Sequence, residues 1–451
     1  MLFGCLATLL IPVSLFGQIA KSWEANINAS LQSANKAVCI RLDQQKNILL
    51  LNYTWLPDST GDILIVKIDP QGKEVWRRLF DGPLHTDDRP VDLTVDRFDN
   101  IWICGTSRTK TGDTDILLLK YSSEGTLLNQ ELFGWSIGKF DAPTAVAVDR
   151  AGFPSISGYV TSNDSGVNYA VLRYYPQGSL MWFRFFTSAE MDMANDISVD
   201  DSCNIYSTGI VNGGMHTADI FVQKYDSAGT LKWQHSYDGQ QTVNDVATCL
   251  TMDDSAAVYI SGYVNHAGDR SDIPLLKFNR NGILVREIIF NGGTSDVMAQ
   301  QVFTTTKTAQ VTASFIDYSR QENGSLLIQF NLQEGSTIFN RKSSNGSFYY
   351  RLLPEKTYRL LIGSNTNSDD GMLQPTFSIP DSSEGYVYQY TDSTVHGLAY
   401  IRDLLVDDHR VYFLGDDAGD SFGTISLFCY AIDVPFTENF IKHIPLKKWK
   451  N

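Results

Sequence analysis

Five polar side chains recur along this chain at near-constant spacing: Asn35, Asp88, Asp141, Asp192 and Asp245 follow one another at intervals of 51 or 53 residues. Four carboxylates and an amide brought to a common face would form a ring of hard oxygen donors, suited to a metal ion or a cationic ligand. The same residue types also cap turns by accepting backbone N–H bonds, and a loop shape that repeats would need such a cap at every repeat. Both readings remain open at the level of sequence.

A second set of oxygens stands at alternate positions in NTNSDDG, where Asn365, Asn367 and Asp369 follow the spacing of a calcium loop. Asp370 takes the place of the glycine that makes that loop's sharp turn, and Thr376 the place of its chelating glutamate. A solvated loop explains the same letters. Calcium is the one ion these patterns support, and no cofactor beyond it is predicted. GDSFG, from Gly419 to Gly423, spells the nucleophile elbow of hydrolases. That elbow needs a strand before Ser421 and a helix after it, whereas both flanks here read as strands. The seven histidines show neither paired metal spacing nor a triad arrangement, so no catalytic residue is assigned.

The elements that must position these residues follow from the same spacing. Each of the five polar residues lies eight positions before an aspartate that ends an apolar run: Asp43, Asp96, Asp149, Asp200 and Asp253. Around each aspartate the pattern is a short strand, a tight turn, a second strand such as IWICG or VYISG, a polar loop, a third strand such as DILLLKY, a glycine turn and a fourth strand such as TLKWQHSY. Alternating, β-branched and aromatic residues bounded by Gly, Asp and Asn are strand and hairpin signals, and no unit holds a helical period of useful length. The phrase returns at LLVDDHRVYFLG, with two fainter copies between, FTTTKTAQVTASF and LLPEKTYRLLIGS. Units of about 50 residues with four strands each predict an all-β fold, a β-propeller of eight four-stranded blades with seven as the alternative.

Trp76, Trp182, Trp233 and Phe339 stand four residues after a turn glycine in the fourth strand. Trp23 keeps the same offset to the next anchor aspartate, which predicts that an N-terminal strand closes the last blade. ENFIKHIPL near the C-terminus is the competing segment. In the first strands one phase carries large aliphatics and the other small or short residues, which predicts an inner strand squeezed between neighbouring blades.

A chain that is 43% hydrophobic and 12% aromatic can bury a large core, and a net charge of −15 disfavours nucleic acid and anionic lipid as partners. The apolar run 1–17 reads as a signal peptide despite lacking an early basic residue, so the mature chain is expected to be exported, to the periplasm, cell surface or medium, with no membrane span. The remaining cysteines, Cys39, Cys104, Cys203, Cys249 and Cys429, are odd in number and scattered, as free buried thiols would be. The domain division is then 1–17 leader, 18–435 propeller and 436–451 basic tail.

Asp149 with Gly158, and Asp253, Tyr259, Gly262, Lys277 and Gly282, resemble the phrase of the bacterial SBBP-type β-propeller repeat family, most clearly between Trp23 and Asn291. That resemblance implies an exported propeller scaffold and brings no catalytic motif. The functional expectation is a non-catalytic binding or protein-interaction scaffold, monomeric, with a protein or glycan partner. The alternative is an enzyme with its site on the central face, either a glycan-active hydrolase or lyase or a quinoprotein-like oxidoreductase.

Overall fold

The structure is a computed structural model that describes residues 18–433 apart from 28–33, 56–59, 189–190, 213–217, 240–242, 267–269, 306, 344–347, 351–360, 366–373, 381–385, 392–399, 408–409 and 417–424. The leader 1–17 and the tail 436–451 therefore lie outside the described residues, as do ENFIKHIPL and Ser421.

Every described element is a strand, and the strands group in fours. In sheet 2, Asp88–Val95, Ile101–Arg108, Thr114–Tyr121 and Leu127–Phe133 pair antiparallel in chain order. Sheets 1 (34–80), 3 (142–186), 4 (193–237), 5 (245–290) and 6 (296–343) repeat that plan. A closing sheet joins the two ends of the described chain. Gln18–Ile27 pairs antiparallel with Ile425–Asp433, outside Arg410–Asp416 and Tyr400–Asp407, as the offset of Trp23 predicts. Side chains are described in these seven sheets. For a further four-stranded sheet, within 348–391, the backbone pairing alone is described.

First strands of consecutive sheets touch from sheet 1 to sheet 6. The first strand of the closing sheet touches that of sheet 1, and the 348–391 sheet touches both sheet 6 and the closing sheet. The order of contacts is circular, and the architecture is a β-propeller. Strand burial follows from this face-to-face packing. In sheet 1, Ile48, Leu50, Leu64 and Val66 pack toward Tyr412, Leu414 and Leu427 of the closing sheet. The alternate residues Leu49, Leu51, Ile63 and Ile65 pack toward Ile101, Ile103, Leu117 and Leu119 of sheet 2. With both faces covered, second and third strands read as continuous apolar runs, each buried side chain contributing about 1.5–3 kcal/mol.

The repeated letters hold this packing together. Each anchor aspartate caps its own hairpin: Asp96 Oδ1 accepts the N–H of Phe98 at 2.8 Å and of Asn100 at 2.9 Å. Its counterparts also meet a third-strand cation, with Lys67 2.8 Å from Asp43 and Lys277 3.5 Å from Asp253. The fourth-strand tryptophan clasps the next sheet. Trp182 Nε1 donates to Ser227 O at 3.1 Å, and Trp76 Nε1 to Ser123 O at 3.0 Å. Trp182 lies on Gly229, whose φ is +79° and where a Cβ would come within 2.8 Å of the indole. Trp23 does the same from the closing sheet, donating to Pro70 O at 3.2 Å.

Candidate functional site: the central cavity

The first strands of sheets 1 to 6 and of the closing sheet each carry a β-bulge at one register position. The pairing shifts between Pro90 and Asp92, Pro143 and Ala145, Ala194 and Asp196, Ala247 and Cys249, and Ile401 and Asp403. The bulge explains the glycine that ends each second-strand motif. A Cβ on Gly209 would lie 2.0 Å from Met193 O, and Gly105, Gly158 and Gly262 face the same obstruction. The bulged residue turns its side chain to the next sheet: Thr144 donates to Ala194 O at 2.9 Å, Asn195 to Ala247 O at 2.7 Å and Thr248 to Ala299 O at 2.7 Å.

The residue after each bulge lines a cavity of about 650 Å³ formed by the first strands of sheets 2 to 6, among them Asp92, Ala145, Asp196, Cys249 and Gln301. The two phases of the first strand pack as expected between neighbouring sheets: Ala145 and Ala147 meet Ala194 and Ile197 of sheet 4 and Cys249 meets Val297 and Val311 of sheet 6, while Val146 and Leu250 face the preceding sheet. The extra bulge residue in addition brings the residue after it to the edge of the channel.

Arg41, in sheet 1, spans the two neighbouring first strands, 2.7 Å from Asp92 and 3.0 Å from Asp403. Those carboxylates also staple strands: Asp403 Oδ2 accepts Ile40 N–H at 3.0 Å and Asp92 Oδ2 accepts Val146 N–H at 3.2 Å. Asp196 has the same backbone role, accepting Leu250 N–H at 2.8 Å and Ile197 N–H at 2.8 Å, with no arginine beside it. Burial pushes its carboxyl up to about 7, the two N–H bonds oppose the rise, and the charge of Asp92 adds to it. Asp196 is thus a cavity carboxyl that exchanges protons near neutrality. Burial likewise pushes the Cys249 thiol up to about 12, so it lines the cavity as a neutral group.

The five residues spaced through the sequence lie elsewhere. Asn35, Asp88, Asp141, Asp192 and Asp245 are all buried, at the start of or just before the first strands. Asp141 accepts Trp135 N–H at 2.6 Å and Thr161 N–H at 2.7 Å, while Asp192 accepts Ser188 N–H at 2.6 Å and Asn212 N–H at 2.9 Å. Asp245 accepts Gly239 and Asn265 N–H, and Asn35 Oδ1 accepts the Thr54 hydroxyl at 2.7 Å. The bonds tie the loop arriving from the previous sheet to the end of the second strand, which is turn chemistry repeated at each junction. Asn365 ends the strand Leu361–Asn365, and Asn367 and Asp369 lie outside the described residues. Sequence reasoning missed Arg41, Asp92, Asp196 and Asp403. Their one signal was a charged residue inside an apolar first strand. The five cysteines noted above are free, four of them buried.

No protein-family model matches the chain, and no curated protein matches it. Among solved structures it is similar to the Dos1 propeller, with a TM-score of 0.57 at 10% identity over 93% of this chain and 96% of that one. The WD40 domain of SCAP from fission yeast (TM-score 0.49, 9% identity, 92% and 99% covered) and an ulvan lyase of polysaccharide lyase family PL25 (0.46, 12%, 77% and 93%) are more distant. At such identity the first likeness speaks for the propeller fold alone. Among the described residues no helix is long and apolar enough to cross a membrane.

Proposed function

We propose that this chain is an exported, non-catalytic propeller scaffold that binds a protein partner on its outer wall at sheets 2 and 3. The observation that carries the reading is an aromatic cluster on exposed fourth strands. Phe133 and Phe183 have ring centroids 4.8 Å apart, Trp135 lies 5.0 Å from Phe183 and 5.3 Å from Phe185, and the neighbouring Ile137 is 93% exposed. Contiguous exposed apolar surface of this kind marks interaction sites. The net charge of −15 favours a partner with basic residues around its apolar anchor. The apolar run 1–17 and the resemblance to SBBP-type repeats support export.

The experiment is site-specific photo-crosslinking in the producing cell, with a benzophenone amino acid at Ile137. The expected result is one discrete heterologous adduct, lost on Phe185→Ser and absent with the probe at Ile283, an exposed residue of another sheet. No adduct, or an adduct with a second copy of this chain alone, would overturn the reading.

A central-face enzyme is the second reading, favoured by Asp196, a proton donor or acceptor near neutral pH in a cavity of about 650 Å³. Turnover of a glycan by the parent protein and its loss in Asp196→Asn would replace the scaffold reading.

A further inference from the structure

Where sheet 1 meets sheet 2, three carboxylates from separate stretches of chain converge. Asp62 opens the third strand Gly61–Ile68, Asp81 follows the fourth strand Glu74–Phe80, and Asp88 begins the first strand of sheet 2. One oxygen from each lies within 4.8 Å of the others, the only such trio of acidic, His or Cys groups among the described residues. Asp62 is 2% exposed and Asp88 fully buried, and neither Asp62 Oδ1 nor Asp88 Oδ1 has a hydrogen-bond partner. A buried carboxylate oxygen without a donor, facing two more carboxylates, requires a proton or a cation.

We propose that Asp62, Asp81 and Asp88 hold a calcium ion that ties sheet 1 to sheet 2. Two oxygens bound to one calcium at about 2.4 Å sit no more than about 4.8 Å apart, the limit within which this trio falls. All donors are hard carboxylate oxygens, which select calcium over softer metals. Asp81 is exposed, so water completes the shell of six to eight oxygens.

The surrounding groups do not neutralise the cluster from within. Arg89 is engaged by Asp87 at 2.6 Å, Tyr53 donates to Asp87, and His85 bonds Asp81 from the solvent side at 2.6 Å. Gly82 N–H satisfies Asp88 Oδ2 at 2.6 Å, while Oδ1 receives no hydrogen bond. The next junction lacks the third ligand. Gly134 stands in the place of Asp81, and a Cβ there would strike Asp115 Oδ1 at 2.3 Å. Between sheets 4 and 5 the three carboxylates return as Asp219, Asp238 and Asp245, but there Asn212 Nδ2 donates to Asp219 at 3.3 Å in place of an ion.

The test is thermal unfolding and isothermal titration of the purified full propeller, stripped with EDTA and titrated with calcium, magnesium and manganese at pH 7.5. With a dissociation constant of about 10⁻⁴ M, about 10 mM calcium should raise the midpoint by about 3 °C. The shift and the titration heat should vanish in Asp81→Asn, whose exposed side chain leaves the fold intact, and in Asp62→Asn. They should persist in Asp238→Asn. No shift and no heat with any of the three ions would overturn the proposal, as would a calcium shift that survives in both Asp62→Asn and Asp81→Asn.

Discussion

The outer wall and the central channel of this propeller are built from the same repeat, yet they use it in opposite ways. On the wall the letters repeat. Trp23, Trp76, Trp182 and Trp233 each lie over the turn glycine of the next sheet, and the indole N–H of each reaches a carbonyl there at 3.0–3.2 Å. In the channel the backbone repeats, one bulge per first strand, but the residue after the bulge is Cys39, Asp92, Ala145, Asp196, Cys249, Gln301 or Asp403. Identity is retained where one side chain shape fits every junction, and it varies at the channel edge, where Asp92, Asp196 and Asp403 accept a neighbouring strand's N–H but Cys39, Ala145 and Cys249 pack instead. In a repeat fold the departures from the phrase, rather than the phrase, point to the chemistry.

Three substitutions probe that contrast, beginning with the strongest. Trp182→Ala removes a nearly buried indole and its bond to Ser227 O, and should lower unfolding free energy by about 3–5 kcal/mol with no change in pH profile. Chemical denaturation at two pH values measures it, and a loss under about 1 kcal/mol would mean the clasp is ornamental. Gly209→Ala pushes a Cβ against Met193 O and should cost about 1–3 kcal/mol, whereas an alanine already stands at the corresponding Ala313 of sheet 6. A neutral outcome in the same denaturation assay would show that the bulge relaxes without a glycine.

At neutral pH and below, a pH-dependent effect separates channel from wall. Asp196 has a folded-state carboxyl near 7, above the ordinary unfolded value of 3.8, so the folded protein holds the extra proton between those pH values. Its contribution is fully present below about pH 4 and is lost as pH rises toward 7. Asp196→Asn should therefore match the parent near pH 4 and exceed it above pH 7, in unfolding midpoints followed across that range. Parallel profiles for parent and variant would place the carboxyl at an ordinary value and remove the case for Asp196 as a proton-exchanging group.

Much of the scaffold was legible in the letters. The anchor aspartates predict the hairpins that the Asp96 bonds display, because an Asx side chain reaches the N–H groups two and four residues on without help from the rest of the fold. The offset of Trp23 predicts the closing strand for a related reason: a clasp that recurs once per unit is recognisable wherever one copy survives. Arg41 was not legible, since its partner Asp403 is 362 residues away and the two meet only when the ring closes. In the spaced set from Asn35 to Asp245 the regularity was visible in the sequence, whereas the structure shows what it does: Asn35, Asp141 and Asp245 fasten a loop to the strand it enters, and Asp88 also meets two further carboxylates.

By itself, then, the sequence determined the unit: four strands, their turns, and the Trp, Lys and Gly that join one sheet to the next, all read over distances of one or two repeats. Tertiary structure alone decided which side chains face the channel and which carboxylates meet at the first junction. The bulge shifts alternation by one residue, an effect invisible in a period-two pattern. Asp62, Asp81 and Asp88 come together only where the end of one sheet is laid against the start of the next.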